Sequence, residues 1–410
     1  MKLLIIGAGP AGVTVAETLR QHNDQSSIVM LSSEPYPPYS PPAMLEYFQT
    51  GREIHFWKGK DFPERLGLDY RQDTRVVSLL PEQKTARLSD GETLSYDELV
   101  IATGGSLYTP IEGADKAGVY NFKSLTGAEE LLGRIRKKQA QTALIVGAGF
   151  IGVEIALLLR NMGLDVTQMV RSRVMRRMLD PETSDLVLET LKERGIQVLR
   201  GDDADAVAFV GEPRADAVEV RSGDALSSDL LVAATGIKPN IGFLEASGVE
   251  TNWGVLVDEK LRTNLSNVYA AGDVAETFDR FTDERYVHAI FPNAVEQAKI
   301  VAYNLMGKNV TYEGADNMNS LKHLGMPLIA VGKMEGEELR IQREGTLRKL
   351  YLQDDRIIGF CLAGDLSAAG IYRTLMNKRV NVVPFKHRLL NPGFGMGIIE
   401  GLALSPQFTS

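Results

Sequence analysis

Two copies of one glycine pattern constrain the fold of this 410-residue chain more than any other feature. Residues 7–12 (GAGPAG) follow an apolar run at 3–6, and residues 147–152 (GAGFIG) follow an apolar run at 143–146. Apolar residues at helical spacing come after each copy, so each pattern is typical of a buried parallel strand, a glycine turn and a helix. In that context the glycines favour a pyrophosphate at the helix amino terminus. The sequence therefore predicts two nucleotide-binding units.

A second repeated element closes each unit. Residues 98–104 (ELVIATG) recur as residues 230–236 (LLVAATG), so both units are expected to end in a strand followed by Ala-Thr-Gly. Between the first glycine turn and the first of these strands, residues 73–94 alternate strand-like stretches with an Asp-Gly turn. This pattern predicts a small β meander inserted into the first unit.

Composition excludes several kinds of chemistry. Cys361 is the only cysteine, so the chain has no internal disulfide, no C-x-x-C redox pair, no thiolate zinc site and no cysteine-held iron–sulfur cluster. A net charge of -8 gives no general attraction to nucleic acid or to an anionic membrane. The first apolar run is too short for a signal peptide, and the apolar window 143–159 contains glycines and a glutamate. We therefore expect a cytoplasmic protein without a metal site, a nucleic-acid partner or a membrane span.

Together these motifs resemble those of the pyridine nucleotide disulfide oxidoreductase superfamily, flavoproteins with two dinucleotide-binding domains. Residues 263–273 (TNLSNVYAAGD) resemble the second FAD motif of that family, and residues 293–298 (NAVEQA) resemble the helix start that follows it. The resemblance covers residues 1 to about 310 and is closest to the rubredoxin reductases and the amino-terminal part of assimilatory nitrite reductases. It implies an α/β fold with two Rossmann-like domains and a small α+β carboxy-terminal domain.

The resemblance also implies a division into three domains. The FAD-binding domain is expected to be discontinuous, with residues 1–110 and 238–310, and to enclose an NAD(P)H-binding domain at 111–237. Residues 311–410 form the expected carboxy-terminal interface domain, in which 347–352 and 356–362 are predicted strands and 366–377 a predicted helix.

We expect FAD in the first unit. An acid near the end of the second strand usually holds the adenosine ribose, and Glu34 is the candidate; a solvated loop carboxylate is the alternative. By resemblance, Val76 meets the adenine through its backbone and Asp273 bonds the ribityl chain. The full set of expected FAD contacts is Gly7, Gly9, Pro10, Ala11, Gly12, Ser33, Glu34, Pro41, Val76, Ala102, Thr103, Gly104, Gly272, Asp273 and Ala294.

We expect NAD(P)H in the second unit. Its second predicted strand, 165–170, ends without an acid and is followed by Arg171 and Arg177, whose spacing resembles the NADPH-binding stretch of glutathione reductase. Because a 2′-phosphate needs cations, NADPH is expected to be preferred over NADH; a solvated basic loop is the alternative. By resemblance Glu154 contacts the nicotinamide carboxamide and Phe150 lies over the flavin, supporting its chemistry. The expected contacts are Gly147, Gly149, Phe150, Ile151, Gly152, Glu154, Arg171, Arg177 and Gly236.

The electron acceptor is constrained by a missing side chain. Residues 35–44 (PYPPYSPPAM) stand where the disulfide reductases and water-forming oxidases of the family carry a cysteine beside the flavin, and this segment has none. Hydride is therefore expected to pass from nicotinamide to flavin, and electrons to leave the flavin directly for a redox protein or metal centre. A peroxide-forming oxidase or small-acceptor reductase remains an alternative, as does a low-turnover flavin-bound redox sensor or interaction protein.

A basic stretch points to one class of acceptor. Residues 366–399 contain no Asp or Glu but five cations, Arg373, Lys378, Arg379, Lys386 and Arg388. Such a stretch would steer an acidic electron carrier, namely rubredoxin, ferredoxin or another iron–sulfur protein. A homodimer contact or a solvated surface would explain the same charges.

Overall fold

The computed structural model describes residues 1–281, 284–321 and 324–395. Its helices are α1 (Pro10–Gln21), α2 (Met44–Thr50), α3 (Phe62–Arg65), α4 (Leu125–Arg136), α5 (Phe150–Asn161), α6 (Pro181–Glu193), α7 (Phe291–Leu305) and α8 (Ala369–Asn377). Its strands are β1 (Lys2–Ile6), β2 (Ser27–Leu31), β3 (Asp69–Arg71), β4 (Val76–Leu80), β5 (Thr85–Leu88), β6 (Thr93–Ser95), β7 (Glu98–Ile101), β8 (Gly105–Leu107), β9 (Val119–Tyr120), β10 (Thr142–Val146), β11 (Asp165–Val170), β12 (Gln197–Arg200), β13 (Ala206–Val210), β14 (Ala217–Val220), β15 (Ala225–Ser227), β16 (Leu230–Ala233), β17 (Ile237–Pro239), β18 (Val255–Leu256), β19 (Val268–Ala270), β20 (Ala275–Phe278), β21 (Arg285–Tyr286), β22 (Met318–Leu321), β23 (Leu328–Gly332), β24 (Glu337–Arg343), β25 (Thr346–Gln353) and β26 (Arg356–Ala363).

The chain forms two compact units, each described by itself below. The first takes in Met1–Leu144, Ala206–Glu219 and Ala225–Asp316. The second takes in Ile145–Asp205, Val220–Asp224 and the described part of Asn317–Ser410. The boundary falls inside β10, and the three-domain division expected from the sequence remains a prediction.

The first unit contains a five-stranded sheet in the order β19-β7-β1-β2-β3, in which all four neighbouring pairs are parallel. The middle strands β1 and β7 are apolar almost throughout, because both faces of a parallel sheet are covered. Helix α1 covers it with Val15 and Leu19, which are buried in the same core. Strand β19 reaches this sheet from far along the chain, so two separated segments build one sheet.

The predicted meander is confirmed in the first unit as an antiparallel sheet of β4, β5 and β6. Gly91, with φ +93, lies in the turn between β5 and β6, and its backbone N–H donates to the carbonyl of Leu88 at 3.1 Å. The Asp-Gly pair therefore forms the turn that the sequence predicted.

The second unit begins with the second glycine turn. Strand β11 pairs in parallel with β12, and α5 buries Val153, Ile155 and Leu159 on its apolar face. The parallel strands with their covering helices in both units confirm the predicted α/β class.

The carboxy-terminal part of the second unit is an antiparallel sheet in the order β22-β23-β26-β25-β24. Asp354 and Asp355 connect β25 to β26 with φ +49 and +55, which is the conformation of a two-residue hairpin turn. Helix α8 packs on β26, where the rings of Tyr372 and Phe360 lie 5.7 Å apart. The predicted small α+β element is therefore confirmed. No helix in the described ranges is long and apolar enough to cross a membrane.

Candidate functional site

The first glycine turn is crowded by backbone at its first and last glycines and is open at the middle one. A Cβ at Gly7, where φ is +116, would lie 2.1 Å from the carbonyl oxygen of Ala102, and a Cβ at Gly12 would lie 2.0 Å from the carbonyl oxygen of Gly7. At Gly9 nothing lies within 4 Å of the Cβ position. Helix α1 begins at Pro10 without a side-chain cap, so its first N–H groups face this open side.

The Ala-Thr-Gly element of the first unit is fixed by one asparagine. The hydroxyl of Thr103 donates to the carbonyl of Asn240 at 2.9 Å, and the Asn240 side-chain amide donates to the carbonyl of Thr103 at 2.8 Å. The backbone N–H of Asn240 donates to the carbonyl of Gly104 at 2.9 Å. This bonding fixes the residues that follow β7 to Asn240, which directly follows β17. Val76, 7% exposed, begins β4 elsewhere in the same unit.

Helices α1 and α7 approach each other around Gly272. A Cβ at this glycine, where φ is +82, would lie 3.0 Å from the Cβ of Ala11 and 3.7 Å from the Cβ of Ala294. The Gly272 N–H donates to the side-chain oxygen of Gln297 at 2.7 Å. The structure thus brings three of the predicted FAD residues together, and it leaves the next residue, Asp273, beside them.

Asp273 is paired with a lysine that sequence reasoning missed. The ammonium of Lys123 donates to the carboxylate of Asp273 at 2.6 Å, and the two side chains are 28% and 20% exposed. Lys123 stands 150 positions earlier in the chain and directly before the Ser124 cap of α4. A single lysine before a helix carries no signal of its own in one sequence, so only the fold could identify it.

The carboxylate of Glu34 lies at the amino terminus of α4. One of its oxygens accepts from the hydroxyl of Tyr39 at 2.6 Å; the other accepts from the N–H and the hydroxyl of Thr126, at 3.1 and 2.7 Å. The Tyr39 hydroxyl in turn accepts from the N–H of Leu125 at 3.0 Å. Burial, followed by the charge of Glu34, raises the pKa of Tyr39 far above its ordinary value. Glu34 therefore fixes the loop to the helix, and its predicted ribose contact remains a prediction.

The proline-rich segment between β2 and α2 has no regular structure until Pro41 starts a short 3-10 turn at Pro41–Ala43. Ser33 is exposed and Pro41 is half-buried. Helix α2 follows and ends at Gly51, whose φ of +73 gives a left-handed carboxy-terminal cap.

The second glycine turn repeats the backbone geometry of the first. Gly147 has φ +110, and at Gly149 nothing lies within 4 Å of the Cβ position. Helix α5 begins at Phe150 without a side-chain cap, which leaves its first N–H groups for an anion. Along that helix Gly152 is buried and Ile151 is 51% exposed.

Two more residues that the sequence predicted for the nicotinamide site, Glu154 and Gly236, lie in different units. Glu154 is 3% exposed, on the first turns of α5 in the second unit. Gly236 belongs to the first unit, where its carbonyl accepts from the N–H of Tyr108 at 3.0 Å.

The arginines after β11 divide into two kinds. Arg173 donates to the carbonyls of Arg176 and Leu179 at 3.0 and 2.9 Å, so it braces the loop. Arg171 and Arg177 are exposed, and Arg171 lies 3.7 Å from the carboxylate of Asp205. The two cations predicted for a 2′-phosphate are therefore exposed, as is Arg176 between them.

The basic stretch and the cysteine lie in the carboxy-terminal part of the second unit. Lys386 pairs with Glu337 at 2.7 Å and Asp355 at 3.3 Å, whereas Lys378, Arg379 and Arg388 are exposed. Residues 396–399 of the predicted stretch lie outside the described residues.

Cys361 is fully buried in β26, and burial raises the pKa of its thiol to about 12. Over 1–281, 284–321 and 324–395, no group of three or more His, Cys, Asp or Glu side chains is placed to hold a metal ion.

Comparison with known proteins gives consistent results. The family described as pyridine nucleotide-disulphide oxidoreductase matches residues 1–298. The chain is 30% identical, over 416 residues, to the assimilatory nitrate reductase electron transfer subunit of Bacillus subtilis, covering 98% of this chain and 53% of that protein. It is 29% identical, over 313 residues, to the rubredoxin-NAD(+) reductase of Pseudomonas putida, covering 75% and 80% of the two chains.

A solved structure agrees with these matches. The ferredoxin reductase for the CYP199A2 system from Rhodopseudomonas palustris superposes with a TM-score of 0.84 at 26% identity, covering 92% of this chain and 94% of that one. The chain spans about half the length of the Bacillus relative.

Proposed function

This chain belongs to the pyridine nucleotide-disulphide oxidoreductase family, and from that membership we propose that it is an FAD-dependent NAD(P)H oxidoreductase that delivers electrons to a redox protein or metal centre. Membership implies that it binds FAD and NAD(P)H. The observation that carries the proposal is the pair of glycine turns, each opening onto an uncapped helix amino terminus, in a chain whose residues 35–44 contain no cysteine. Bound flavin would take two electrons together and release them singly.

We assign FAD to the first unit. The N–H groups at the start of α1 would hold the pyrophosphate, and the open side of Gly9 leaves the backbone accessible to it. Asp273, held by Lys123, would accept a hydrogen bond from a ribityl hydroxyl. The three-domain division expected from the sequence is part of this proposal.

We assign NADPH, in preference to NADH, to the second unit. Strand β11 ends without a carboxylate, and the exposed guanidinium groups of Arg171 and Arg177 follow it. A phosphate monoester pairs well with guanidinium donors, whereas a ribose diol needs a carboxylate. Glu154 and Phe150, at the start of α5, would orient the nicotinamide for hydride transfer.

Anaerobic titration of the purified FAD-loaded protein with NADPH and NADH tests the nucleotide assignment. We expect NADPH to reduce the flavin at lower concentration, and Arg171→Ala to remove most of that advantage while leaving reduction by NADH unchanged. Equal reduction by the two nucleotides in the wild-type protein would refute the preference. Failure of both nucleotides to reduce the bound flavin would refute the function itself.

For the acceptor we propose an acidic electron carrier such as rubredoxin or ferredoxin. The names of two relatives refer to electron transfer to another redox protein: the rubredoxin-NAD(+) reductase and the electron transfer subunit of an assimilatory nitrate reductase. In this chain Lys378 and Arg388 supply exposed positive charge, whereas Lys386 is neutralised by Glu337 and Asp355.

Charge reversal at these two positions tests the acceptor. Lys378→Glu with Arg388→Glu should slow reduction of the carrier, and the difference should shrink as salt rises, because exposed charges are screened beyond about 8–10 Å. Turnover with ferricyanide, whose small size needs no docking surface, is the control and should change much less. Rapid peroxide formation with oxygen as the best acceptor would favour the oxidase alternative instead.

A further inference from the structure

A carboxylate in the second unit joins two exposed arginines near the end of β11. The Asp205 side chain, 17% exposed, lies 2.6 Å from the Nε of Arg221 and 3.7 Å from the guanidinium of Arg171. Both guanidinium groups face solvent, with side chains 65% exposed at Arg171 and 62% at Arg221. Asp205 therefore bonds closely to Arg221 and only loosely to Arg171. The sequence pattern indicated Arg171 but not Arg221, which stands 50 positions later in the chain.

The internal repeat indicates which part of a bound nucleotide this carboxylate would face. In the first unit the N–H of Ser89 donates to the carbonyl of Arg75 at 2.9 Å, one residue before β4 begins at Val76. In the second unit the N–H of Arg221 donates to the carbonyl of Asp205 at the same distance, one residue before β13 begins. Val76 is the residue predicted to meet the adenine of FAD. Asp205 and Arg221 therefore belong at the adenosine end of the second nucleotide site.

An unpaired carboxylate at this position would work against NADPH. It would attract the Arg171 guanidinium into a closer ion pair and would repel the 2′-phosphate, which carries up to two negative charges. Hydrogen bonding to Asp205, with a smaller effect from the charge of Asp202, raises the pKa of Arg221, so this cation stays charged at every pH of interest. Arg221 thus neutralises Asp205 and leaves the donors of Arg171 free to turn toward a phosphate.

We propose that Arg221 is a positioning residue for NADPH, which acts through Asp205 to keep Arg171 available for the 2′-phosphate. This inference rests on the proposed function, in which Arg171 binds that phosphate. The inference extends the proposed function, because it places part of the selectivity for NADPH in the turn between β14 and β15.

Calorimetric titration of the FAD-loaded protein with NADP⁺ and with NAD⁺, at low ionic strength, tests the inference without relying on turnover. Arg221→Ala should weaken NADP⁺ binding about fivefold to tenfold, the effect of leaving one carboxylate charge uncompensated at a solvent-facing site. Binding of NAD⁺ should change less than about twofold, because NAD⁺ lacks that phosphate. Adding Asp205→Asn to Arg221→Ala should restore most of the NADP⁺ affinity, since the carboxylate that Arg221 neutralises is then gone.

A matched control is Arg65→Ala. Arg65 is a similarly exposed arginine, 54%, in an ion pair with Asp61, and it belongs to the first unit. It should leave the binding of both nucleotides unchanged.

Three outcomes are informative against the proposal. Unchanged NADP⁺ binding in Arg221→Ala, while Arg171→Ala weakens it, would overturn the role of Arg221 and leave the NADPH assignment standing. Weaker binding that Asp205→Asn does not restore would overturn the action through Asp205. A wild-type protein that binds NAD⁺ as tightly as NADP⁺, and in which Arg171→Ala changes neither, would overturn the NADPH assignment and this inference together.

Discussion

Replacing Lys123 with methionine should weaken FAD binding about tenfold. The substitution keeps the length of the side chain but removes the cation 2.6 Å from the Asp273 carboxylate. A hydrogen bond between charged groups contributes about 1.5–3 kcal/mol, and the partial exposure of this pair, 28% and 20%, places its value toward the lower end. About 1.4 kcal/mol corresponds to a factor of ten in a dissociation constant.

The direction of the effect follows from charge. Without Lys123 the Asp273 carboxylate loses its fixed position and its compensating charge, and FAD itself brings a negatively charged pyrophosphate to the same unit. Both changes disfavour the cofactor. The assay is fluorescence titration of FAD-depleted protein with FAD, accompanied by urea unfolding of the same sample.

A second ion pair of the same unit separates cofactor binding from stability. Lys58 lies 2.7 Å from Glu17, and these side chains are 22% and 25% exposed, close to the values for Lys123 and Asp273. Lys58→Met should lower the free energy of unfolding by a similar amount, about 1–2 kcal/mol, with FAD affinity unchanged. If Lys123→Met lowers stability as Lys58→Met does but binds FAD like the wild-type protein, the reasoning about Asp273 is refuted.

Four further predictions concern buried groups. Because burial raises the pKa of the Cys361 thiol to about 12, a thiol reagent at pH 8 should leave the folded protein unmodified and label it fully in urea; labelling of the folded state would contradict this. Lys349→Met should lower the free energy of unfolding, measured with urea, by about 3–5 kcal/mol, because it leaves the buried carboxylate of Asp180 without the ammonium that pairs with it; the Lys349 side chain is 2% exposed. Burial opposes ionisation of Asp180, but the hydrogen bond from Lys349 lowers the pKa of this carboxyl below its ordinary value. The stability that the carboxylate contributes is therefore fully present above a pH of about 3.9 and is lost as the pH falls through the lowered pKa. Asp180→Asn should reduce this loss of stability at acid pH. Glu34→Gln should let Tyr39 ionise at lower pH, although burial keeps its pKa raised, as measured by ultraviolet titration against Tyr39→Phe.

Backbone geometry is the part of the candidate site that one sequence could predict. Gly7, Gly12 and Gly272 each lie where a Cβ would meet another part of the chain at 3.0 Å or less. Only glycine is tolerated there, so the pattern appears in the sequence at fixed spacing. The same local logic explains why the meander turn at Gly91 and the hairpin at Asp354 and Asp355 were predictable.

Side chains that meet through the fold were not predictable in this way. Lys123 and Asp273 are 150 positions apart, and Glu34 meets Thr126 across 92 positions. The charge of Glu34 suggested a ribose contact, but nothing local indicated that Thr126 of α4 would bond one of its oxygens and the Tyr39 hydroxyl the other. Such pairs depend on where whole helices pack, which a motif of a few residues does not encode.

The repeat also explains where the two nucleotide sites must differ. Under the proposed assignment both units would present the same turn to the same chemical group, since FAD and NADPH each carry a pyrophosphate, and Gly9 and Gly149 are equally open. Discrimination must therefore come from side chains that reach the adenosine end of each ligand. In the second unit we propose Arg171 with the pair of Asp205 and Arg221 for this role, and none of the three belongs to the first unit. Substitutions there should change nucleotide choice while leaving FAD affinity intact, whereas substitutions at Lys123 should do the reverse.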